Sequence, residues 1–456
     1  MAAIDVQIVN VALPTLGRDF HASIAQVQWT VIGYVLSLAV LIPASGWLGD
    51  RFGTRRTFLV ALATFTAASV LCGASQNLRE LVGARVLQGA GGGILTPSAT
   101  AMLFRAFPPE RRARITRLLV MPIVVGPASA PILGGVFTQA LSWRWVFFVN
   151  VPFGAAVFAF CAAYLPAHRP REALTRGRFD AIGFVLGGGG LSLTLYALSE
   201  GPTEGWGSAA IVATGLAGVV LLGAFVRRQL REAEPVLNLR LLHDRLFRAT
   251  NIVGACSSAS FLGCLYLAPS FLQEAQHHSA ISSGTTTFLE AIGVFVSTQS
   301  LGRLYPRIGP RWMAGVGASA TCLLMLCFLL VDAHTSLWIL RGQMFLIGAA
   351  NSAVFLSVQT AMFTTVSSAD TGHASAIYNT GRQASVAVAV AVLSAVVAGV
   401  GGSRIGGFHA AFAADAAIAG AGALFAFLLI RTADAAASMA RRRPPSARAP
   451  AGGRPG

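Results

Sequence analysis

The chain has 456 residues, of which 54% are hydrophobic and only 11% are charged. Charged residues make up about 25% of an ordinary soluble domain, so this composition excludes a soluble fold. The net charge of +16 rests on arginine alone, and the arginines are not gathered on one face as nucleic-acid binding would require. The bilayer is therefore the expected solvent.

Apolar segments between polar breaks approach or exceed the length needed to cross roughly 30 Å of hydrocarbon. In chain order they cover residues 1–17, 28–49, 57–75, 79–104, 115–139, 144–165, 179–199, 207–227, 247–272, 283–304, 313–331, 336–366, 374–399 and 408–430. These fourteen segments predict an all-α, polytopic transmembrane helical bundle.

Arginine is concentrated in alternate loops. One set of loops, together with the C-terminal tail, holds 27 of the 34 arginines, whereas the other set holds four. Basic residues near span ends stay on the cytoplasmic side of the membrane. Both termini are therefore expected in the cytoplasm. The exclusive use of arginine and the abundance of alanine and glycine favour a bacterial cell membrane.

Two loops of the chain resemble one another. Residues 46–55 and 302–311 share Gly, Leu, Arg, Gly and Arg at matching places, displaced by 256 positions, and Arg85 and Arg341 have the same displacement. A constant displacement indicates a duplication. We predict six-span halves in residues 1–165 and 246–431, an inserted and peripheral pair of spans in 166–245, and a disordered basic tail in 432–456.

The loop after the second span closely resembles the signature loop of the major facilitator superfamily. Its matching residues are Gly46, Asp50, Arg51, Gly53, Arg55 and Arg56. The resemblance implies the major facilitator fold and a latch across the cytoplasmic face that favours the outward-open state. The alternative is that these arginines only anchor the topology. Pro306 replaces the aspartate in the second copy, so latch chemistry is not expected there.

Arg85 lies inside the fourth span. A buried arginine is costly, so it is expected to face the bundle interior and to have a partner. Gln88, Gly89 and Gly93 follow it, and the segment looks like the fourth-span motif that the family ties to proton transfer. The two glycines are four residues apart, a spacing that lets another helix pack closely.

The fifth span carries a proline and glycine pattern. Its residues are Gly126, Pro127, Pro131, Gly134 and Gly135. The pattern resembles the motif of antiporters rather than of uptake carriers. The alternative is a flexible packing helix, because proline removes backbone hydrogen bonds and glycine permits close contact.

Further segments resemble the fourteen-span drug:proton antiporters. They include residues 5–14 of the first span and residues 143–152 at the start of the sixth. Asn379, Arg382 and Gln383 are similar to residues of that family's thirteenth span. Together with Gln88, they are expected to line the substrate cavity between the two halves.

Proton coupling needs a carboxylate that is protonated in one state and ionised in the other. The intramembrane candidates are Asp5, Glu290 and Asp415. Asp5 is the carboxylate that the family motif supports, with Arg85 as the charge that tunes it. Glu290 either recognises a cationic substrate, carries a second proton or is bonded to a neighbouring helix. Asp415 ranks last.

These features predict export of small organic compounds, such as drugs, dyes or a natural product, in exchange for protons. The alternatives are an uptake carrier for a metabolite and an inactive, truncated antiporter. A helix from Met1 to Leu16 reaches only about 24 Å, so the first span is either shortened or preceded by further residues. We expect a monomer in contact with lipid, without a nucleic-acid partner, cofactor or metal. An enzyme is disfavoured because the chain has no P-loop and no HExxH motif.

Overall fold

The computed structural model describes residues 2–22, 24–107, 126, 129, 133–134, 136–165, 180–232, 235–367, 370–399 and 404–431. Within these residues the chain forms helices and no strands, in agreement with the predicted all-α fold.

The α-helices are numbered here in chain order. They are α1 (Ala2–Asp19), α2 (Ile24–Leu41), α3 (Ala44–Phe52), α4 (Thr54–Ala74), α5 (Leu78–Ala106), α6 (Trp145–Phe148), α7 (Asn150–Tyr164), α8 (Ala181–Glu204), α9 (Ala209–Arg231), α10 (Arg245–Glu274), α11 (Ala280–Ile308), α12 (Pro310–Leu326), α13 (Leu337–Ala361), α14 (Thr371–Gly399) and α15 (Arg404–Leu429). Shorter turns of π-helix (Phe137–Leu141) and 3-10 helix (Leu239–His243 and Cys327–Leu330) join some of them.

Thirteen of the fourteen predicted spans contain a described helix, and most of the fifth lies outside the described residues. Among the described helices, nine are long and apolar enough to cross a membrane, or ten if α2 and α3, which are bent by 55° relative to each other, form one span. Three further long helices, α1, α5 and α11, fall outside that set. Each of them carries a fully buried charged residue: Asp5, Arg85 or Glu290.

The helices pack as two bundles. In the first, α4 and α2 lie against α5, while α7 lies against α4. In the second, α11 and α12 lie against α13, while α15 contacts α10, α12 and α14. The two bundles meet where α14 contacts α3 and α5. The boundaries of the two halves, the insertion and the tail stay predictions.

The inserted hairpin of α8 and α9 lies along the seam between the bundles. Helix α8 contacts α2 of the first bundle and α14 of the second, whereas α9 packs mainly on α8. The outer side of α9 exposes large apolar side chains, among them Val212, Leu216 and Val220. Such a surface is suited to lipid, since the bilayer replaces water around it.

Asp180 joins the ends of this hairpin. Its Oδ1 accepts hydrogen bonds from the Gly183 backbone at 2.8 Å and from Arg228 Nε at 2.7 Å, and its Oδ2 accepts from Gln229 at 2.8 Å. Gln229 in turn accepts from the Leu237 backbone at 3.0 Å. Burial alone raises the pKa of Asp180, but the hydrogen bonds from Gly183, Arg228 and Gln229 outweigh it, so the net pKa is below its ordinary value.

We expect Asp180→Asn to lower the free energy of unfolding by about 2 kcal/mol near pH 7, because it removes charge-assisted hydrogen bonds. Because folding lowers the pKa of Asp180, its ionised carboxylate stabilises the folded protein at any pH above the ordinary pKa of an aspartate. This advantage of the wild type over the variant is lost as the pH falls through the pKa that Asp180 has in the folded protein. Unfolding in detergent, followed by tryptophan fluorescence, measures both effects.

The matched control is Glu232→Gln, because Glu232 pairs with the same Arg228 at 3.0 Å but is 35% exposed. An exposed pair of this kind contributes about 0 to 1 kcal/mol. Equal effects of the two variants would contradict the role assigned to Asp180.

Candidate functional site

A buried ion pair joins α1 to α5. Asp5 and Arg85 are both fully buried, and Arg85 Nη1 donates to Asp5 Oδ2. The same nitrogen donates to Gln88 Oε1 at 2.6 Å, while Arg85 Nε donates to the Thr30 carbonyl of α2 at 2.9 Å. The opposite charges neutralise one another at a site where neither side chain is exposed.

Amide groups complete the shell of the carboxylate. Asp5 Oδ1 accepts from Gln88 Nε2 and from Asn150 Nδ2 of α7, both at 3.0 Å. Gln88 Nε2 also donates to Ser69 Oγ of α4 at 2.7 Å. Five helices (α1, α2, α4, α5 and α7) therefore meet at one charge pair, which we call the Asp5 network.

Aromatic rings cover the guanidinium. The Arg85 Cζ atom lies 4.1 Å from the centre of the Tyr34 ring and 5.7 Å from that of Phe147. Rings at these distances attract a cation more strongly when water is absent. The guanidinium is therefore held by aromatic rings as well as by hydrogen bonds.

Glycine allows α5 to approach α2. A side-chain carbon at Gly89 would collide with the Tyr34 carbonyl, and one at Gly93 would collide with the Leu38 carbonyl. The four-residue spacing of these glycines therefore serves close packing, as the sequence predicts. Close approach brings Thr30 and Tyr34, which are one turn apart on α2, against Arg85.

The residues of the predicted latch surround the break between α3 and α4. Gly53 ends α3 with a φ of 85°, a left-handed conformation that favours glycine. Asp50 Oδ2 lies 3.5 Å from Nε2 of His373, at the start of α14. A carbon added at Gly46 would lie 3.2 Å from His373. This contact joins the two bundles.

The arginines of the loop differ in their contacts. Arg55 donates to the carbonyl of Ala162 in α7, and Arg51 is partly buried, whereas Arg56 is exposed. A second contact between bundles lies nearby, where the buried Ser375 hydroxyl donates to the Pro97 carbonyl of α5 at 3.0 Å. Sequence reasoning did not find His373 or Ser375, because neither belongs to the loop signature.

The antiporter pattern is described only in part. Gly126 and Gly134 are buried, and a carbon at Gly126 would lie 2.8 Å from the Ile4 side chain beside Asp5. Pro127, Pro131 and Gly135 lie outside the described residues. Gly126 therefore packs against α1 next to the Asp5 network.

The residues predicted to line a substrate cavity fall into two places. Gln88 is fully buried and its amide is engaged by Asp5, Arg85 and Ser69, so it belongs to the Asp5 network. Asn379 is buried on α14 and donates to the Ser375 carbonyl at 2.9 Å.

Arg382 and Gln383 follow Asn379 by one turn of α14 and are partly exposed.

Glu290 lies in the other bundle, away from Asp5 and Arg85. It is fully buried on α11, and neither carboxylate oxygen has a hydrogen-bond partner among the described residues. Asp415 of α15 is also fully buried, and neither of its carboxylate oxygens has a hydrogen-bond partner among the described residues.

Each described helical bundle encloses charged groups, and one of them holds a neutralised pair at a junction of five helices. A buried ionisable site inside a polytopic helical membrane protein is typical of secondary transporters. The chain belongs to the major facilitator superfamily, since the family model described as Major Facilitator Superfamily matches residues 1–390. This membership confirms the predicted family and the predicted helical membrane fold.

Relatives are named for drug resistance. The chain is 36% identical over 319 residues to "Multidrug resistance protein B homolog" of Mycobacterium tuberculosis, which covers 70% of this chain and 58% of that protein. It is 31% identical over 404 residues to "Methylenomycin A resistance protein" of Bacillus subtilis, covering 87% and 85%. It is 30% identical over 406 residues to "Tetracenomycin C resistance and export protein" of Streptomyces glaucescens, covering 89% and 74%.

A solved structure has a similar fold. The human organic anion transporter MFSD10 (TETRAN) superposes with a TM-score of 0.63 over 93% of this chain and 96% of that one. The sequences are 15% identical, so the likeness concerns the fold alone.

We expect Arg85→Ala to lower the free energy of unfolding by about 3 to 5 kcal/mol, because it leaves the Asp5 carboxylate buried without a counter-charge. The double variant Asp5→Asn with Arg85→Gln removes both charges and is expected to recover part of that loss. Thermal unfolding in detergent measures the coupling between the two sites.

Arg341→Ala serves as the control. Arg341 occupies the repeat-equivalent position but is partly exposed, with its guanidinium 4.7 Å from the Trp338 ring. We expect a loss below about 1 kcal/mol, since an exposed cation–π contact contributes little. A loss at Arg341 as large as at Arg85 would refute the special role of the buried pair.

Proposed function

We propose that this transporter is a proton-coupled antiporter that exports small organic compounds by alternating access. The names of its relatives support export of drugs and antibiotics. The Asp5 network supports the coupling to protons and is the observation that carries the proposal.

The proposed coupling step uses the cost of an isolated buried charge. With Asp5 ionised, the pair is neutral and both carboxylate oxygens accept hydrogen bonds. A proton that enters from outside neutralises Asp5 and leaves Arg85 as a buried cation held by Gln88, the Thr30 carbonyl and aromatic rings. That charge favours a conformation in which Arg85 has other partners or more water, and the return of the proton to the cytoplasm restores the pair.

The distribution of arginine indicates which end of the helical bundle faces the cytoplasm. The loops that hold 27 of the 34 arginines are taken as cytoplasmic. The contacts from Asp50 to His373 and from Ser375 to Pro97 then lie at the cytoplasmic end. Both termini face the cytoplasm in this orientation. The conformation described above is accordingly closed to the cytoplasm, with the latch residues holding the two halves together.

The proposed substrate route runs between the halves, along the face of α14 that carries Asn379, Arg382 and Gln383. Partial exposure of Arg382 and Gln383 supports this assignment. We propose a monomer as the working unit, because both halves that border the proposed substrate route belong to the same chain.

Transport into inverted membrane vesicles tests the proposal. Acidifying the vesicle interior is expected to drive uptake of at least one compound from a panel of dyes and aromatic antibiotics. Asp5→Asn is expected to reduce that pH-driven uptake at least tenfold, because it removes the group that takes up the proton. Glu204→Gln, at an exposed position at the end of α8, is the control that keeps wild-type transport.

Full pH-driven uptake by Asp5→Asn would reject the coupling role of Asp5. Accumulation of the panel compounds in intact cells would instead identify an uptake carrier. Movement of none of them, with the protein correctly folded, would favour an inactive antiporter.

A separate prediction concerns the latch contact between Asp50 and His373. Asp50→Asn weakens the contact with His373, so a cysteine at position 375 should react with a permeant maleimide several times faster. The comparison is Ser375→Cys with and without Asp50→Asn, measured above the labelling of the native cysteines. An unchanged rate would show that Asp50 does not hold this end closed.

A further inference from the structure

Arg382 carries a positive charge far inside a membrane-spanning helix. It follows the first residue of α14 by eleven positions, which is about 16 Å along the helix axis. Its guanidinium makes no hydrogen bond, ion pair or cation–π contact with a described residue. An ionisable residue at such a depth is costly, and its presence points to a function.

The face of α14 that carries Arg382 meets the first bundle. Residues seven positions apart lie on the same face of an α-helix, two turns from each other. Ser375 precedes Arg382 by seven positions, is fully buried and donates to the Pro97 carbonyl of α5. Ala389 follows by seven positions and is 3% exposed. Because both neighbours on this face are buried, the partial exposure of Arg382 indicates a local space between the bundles.

A different face of α14 is exposed at the outside of the protein. It carries Gly381, Val388 and Val392, all of which are exposed. At about 100° for each residue, these three positions lie roughly 80° to 120° around the helix from Arg382, all in the same direction. Arg382 is therefore turned away from this apolar row and towards the seam between the bundles.

The opposing helices bring no counter-charge to Arg382. Helix α14 contacts α2, α3, α5 and α8 across the seam. Helix α2 contains no charged residue, and α8 contains none before Glu200 near its end. Arg85 of α5 is paired with Asp5, and Asp50 of α3 faces His373 at the start of α14.

The buried acids of the second bundle lie elsewhere. A carbon added at Gly263 of α10 would approach both Asp415 and Leu393, and Leu393 is eleven positions beyond Arg382 on α14. That separation is about 16 Å along the helix. Glu290 belongs to α11, which is not among the helices packed closely on α14. Within the described residues, Arg382 thus has no acid as its counter-ion.

A guanidinium group stays charged at any physiological pH, and its planar N–H donors match the two oxygens of a carboxylate. Apolar surroundings strengthen the attraction between opposite charges. We infer that Arg382 is a specificity-determining residue, which gives the substrate route a preference for organic anions such as aromatic carboxylates and ionised phenols. The uncharged surfaces of α2 and α8 favour an aromatic anion over an inorganic one. This inference rests on the proposed function, since the route between the halves is part of it.

Binding of two dyes tests the inference without a proton gradient. Fluorescein is an anion at slightly alkaline pH and rhodamine 123 is a cation, while both share the fused-ring xanthene scaffold. Fluorescence anisotropy measures their binding to the purified protein in a non-ionic detergent, with protein-free micelles as the background. A protein that binds the anion but exchanges no protons would refute the proposed coupling and leave this inference intact.

We expect the wild type to bind fluorescein more tightly than rhodamine 123. Arg382→Gln should weaken the binding of fluorescein at least about tenfold, because a charge-assisted hydrogen bond is lost, without weakening the binding of rhodamine 123. Arg382→Lys keeps the charge but not the planar donors, so it should bind fluorescein better than Arg382→Gln and less well than the wild type.

Arg341→Gln is the matched control. It removes the same charge from a partly exposed arginine that lies against Trp338, and it should leave the binding of both dyes unchanged. Thermal unfolding establishes that each variant is folded. If Arg382→Gln does not fold, a loss of fluorescein binding in Arg382→Lys, with rhodamine 123 unaffected, still supports the inference.

Four results would overturn the inference. The wild type would fail to bind fluorescein, or it would bind rhodamine 123 at least as tightly. The Arg382 variants would bind fluorescein as well as the wild type does, or they would lose both dyes equally, which would show that Arg382 shapes the route without selecting charge. An equal loss of fluorescein binding in Arg341→Gln would likewise show that only the net charge of the protein matters.

Discussion

A carboxylate and a guanidinium that are removed from water remain ionised only while they stay together, and much of this protein is arranged around that constraint. Asp5 and Arg85 come from different helices, and three further helices supply Thr30, Ser69 and Asn150 to their network. Removing one charge from such a pair costs more than the intact pair contributes to stability. The same property makes this pair the site at which we propose that a proton is coupled to transport.

Helix α5 connects this site to the contact between bundles. Arg85 and Gln88 lie near its first turns, and about three turns later the carbonyl of Pro97 accepts the Ser375 hydroxyl of α14. Gly89 and Gly93 hold the intervening part of α5 against the backbone of α2. Helix α5 therefore carries both the Asp5 network and a contact between the bundles.

The two bundles use one packing plan with different chemistry. Glycine against a neighbouring carbonyl recurs at Gly89 and at Gly348. The first bundle encloses an anion with its cation, whereas the buried acids Glu290 and Asp415 of the second bundle have no ion-pair partner among the described residues. Close helix contacts thus occur in both bundles, while the charged residues between the helices differ.

The sequence by itself determined the membrane-spanning helical fold, the family and the partnership of Asp5 with Arg85. Apolar length, the latch loop and the expense of a buried arginine are local properties that can be read along the chain. Tertiary structure alone decided that Gln88 completes the Asp5 network, that His373 meets Asp50, and that Ser375 meets Pro97. These pairings join residues far apart in the chain, and they depend on how the helices are rotated and packed, which spacing within a single helix does not specify.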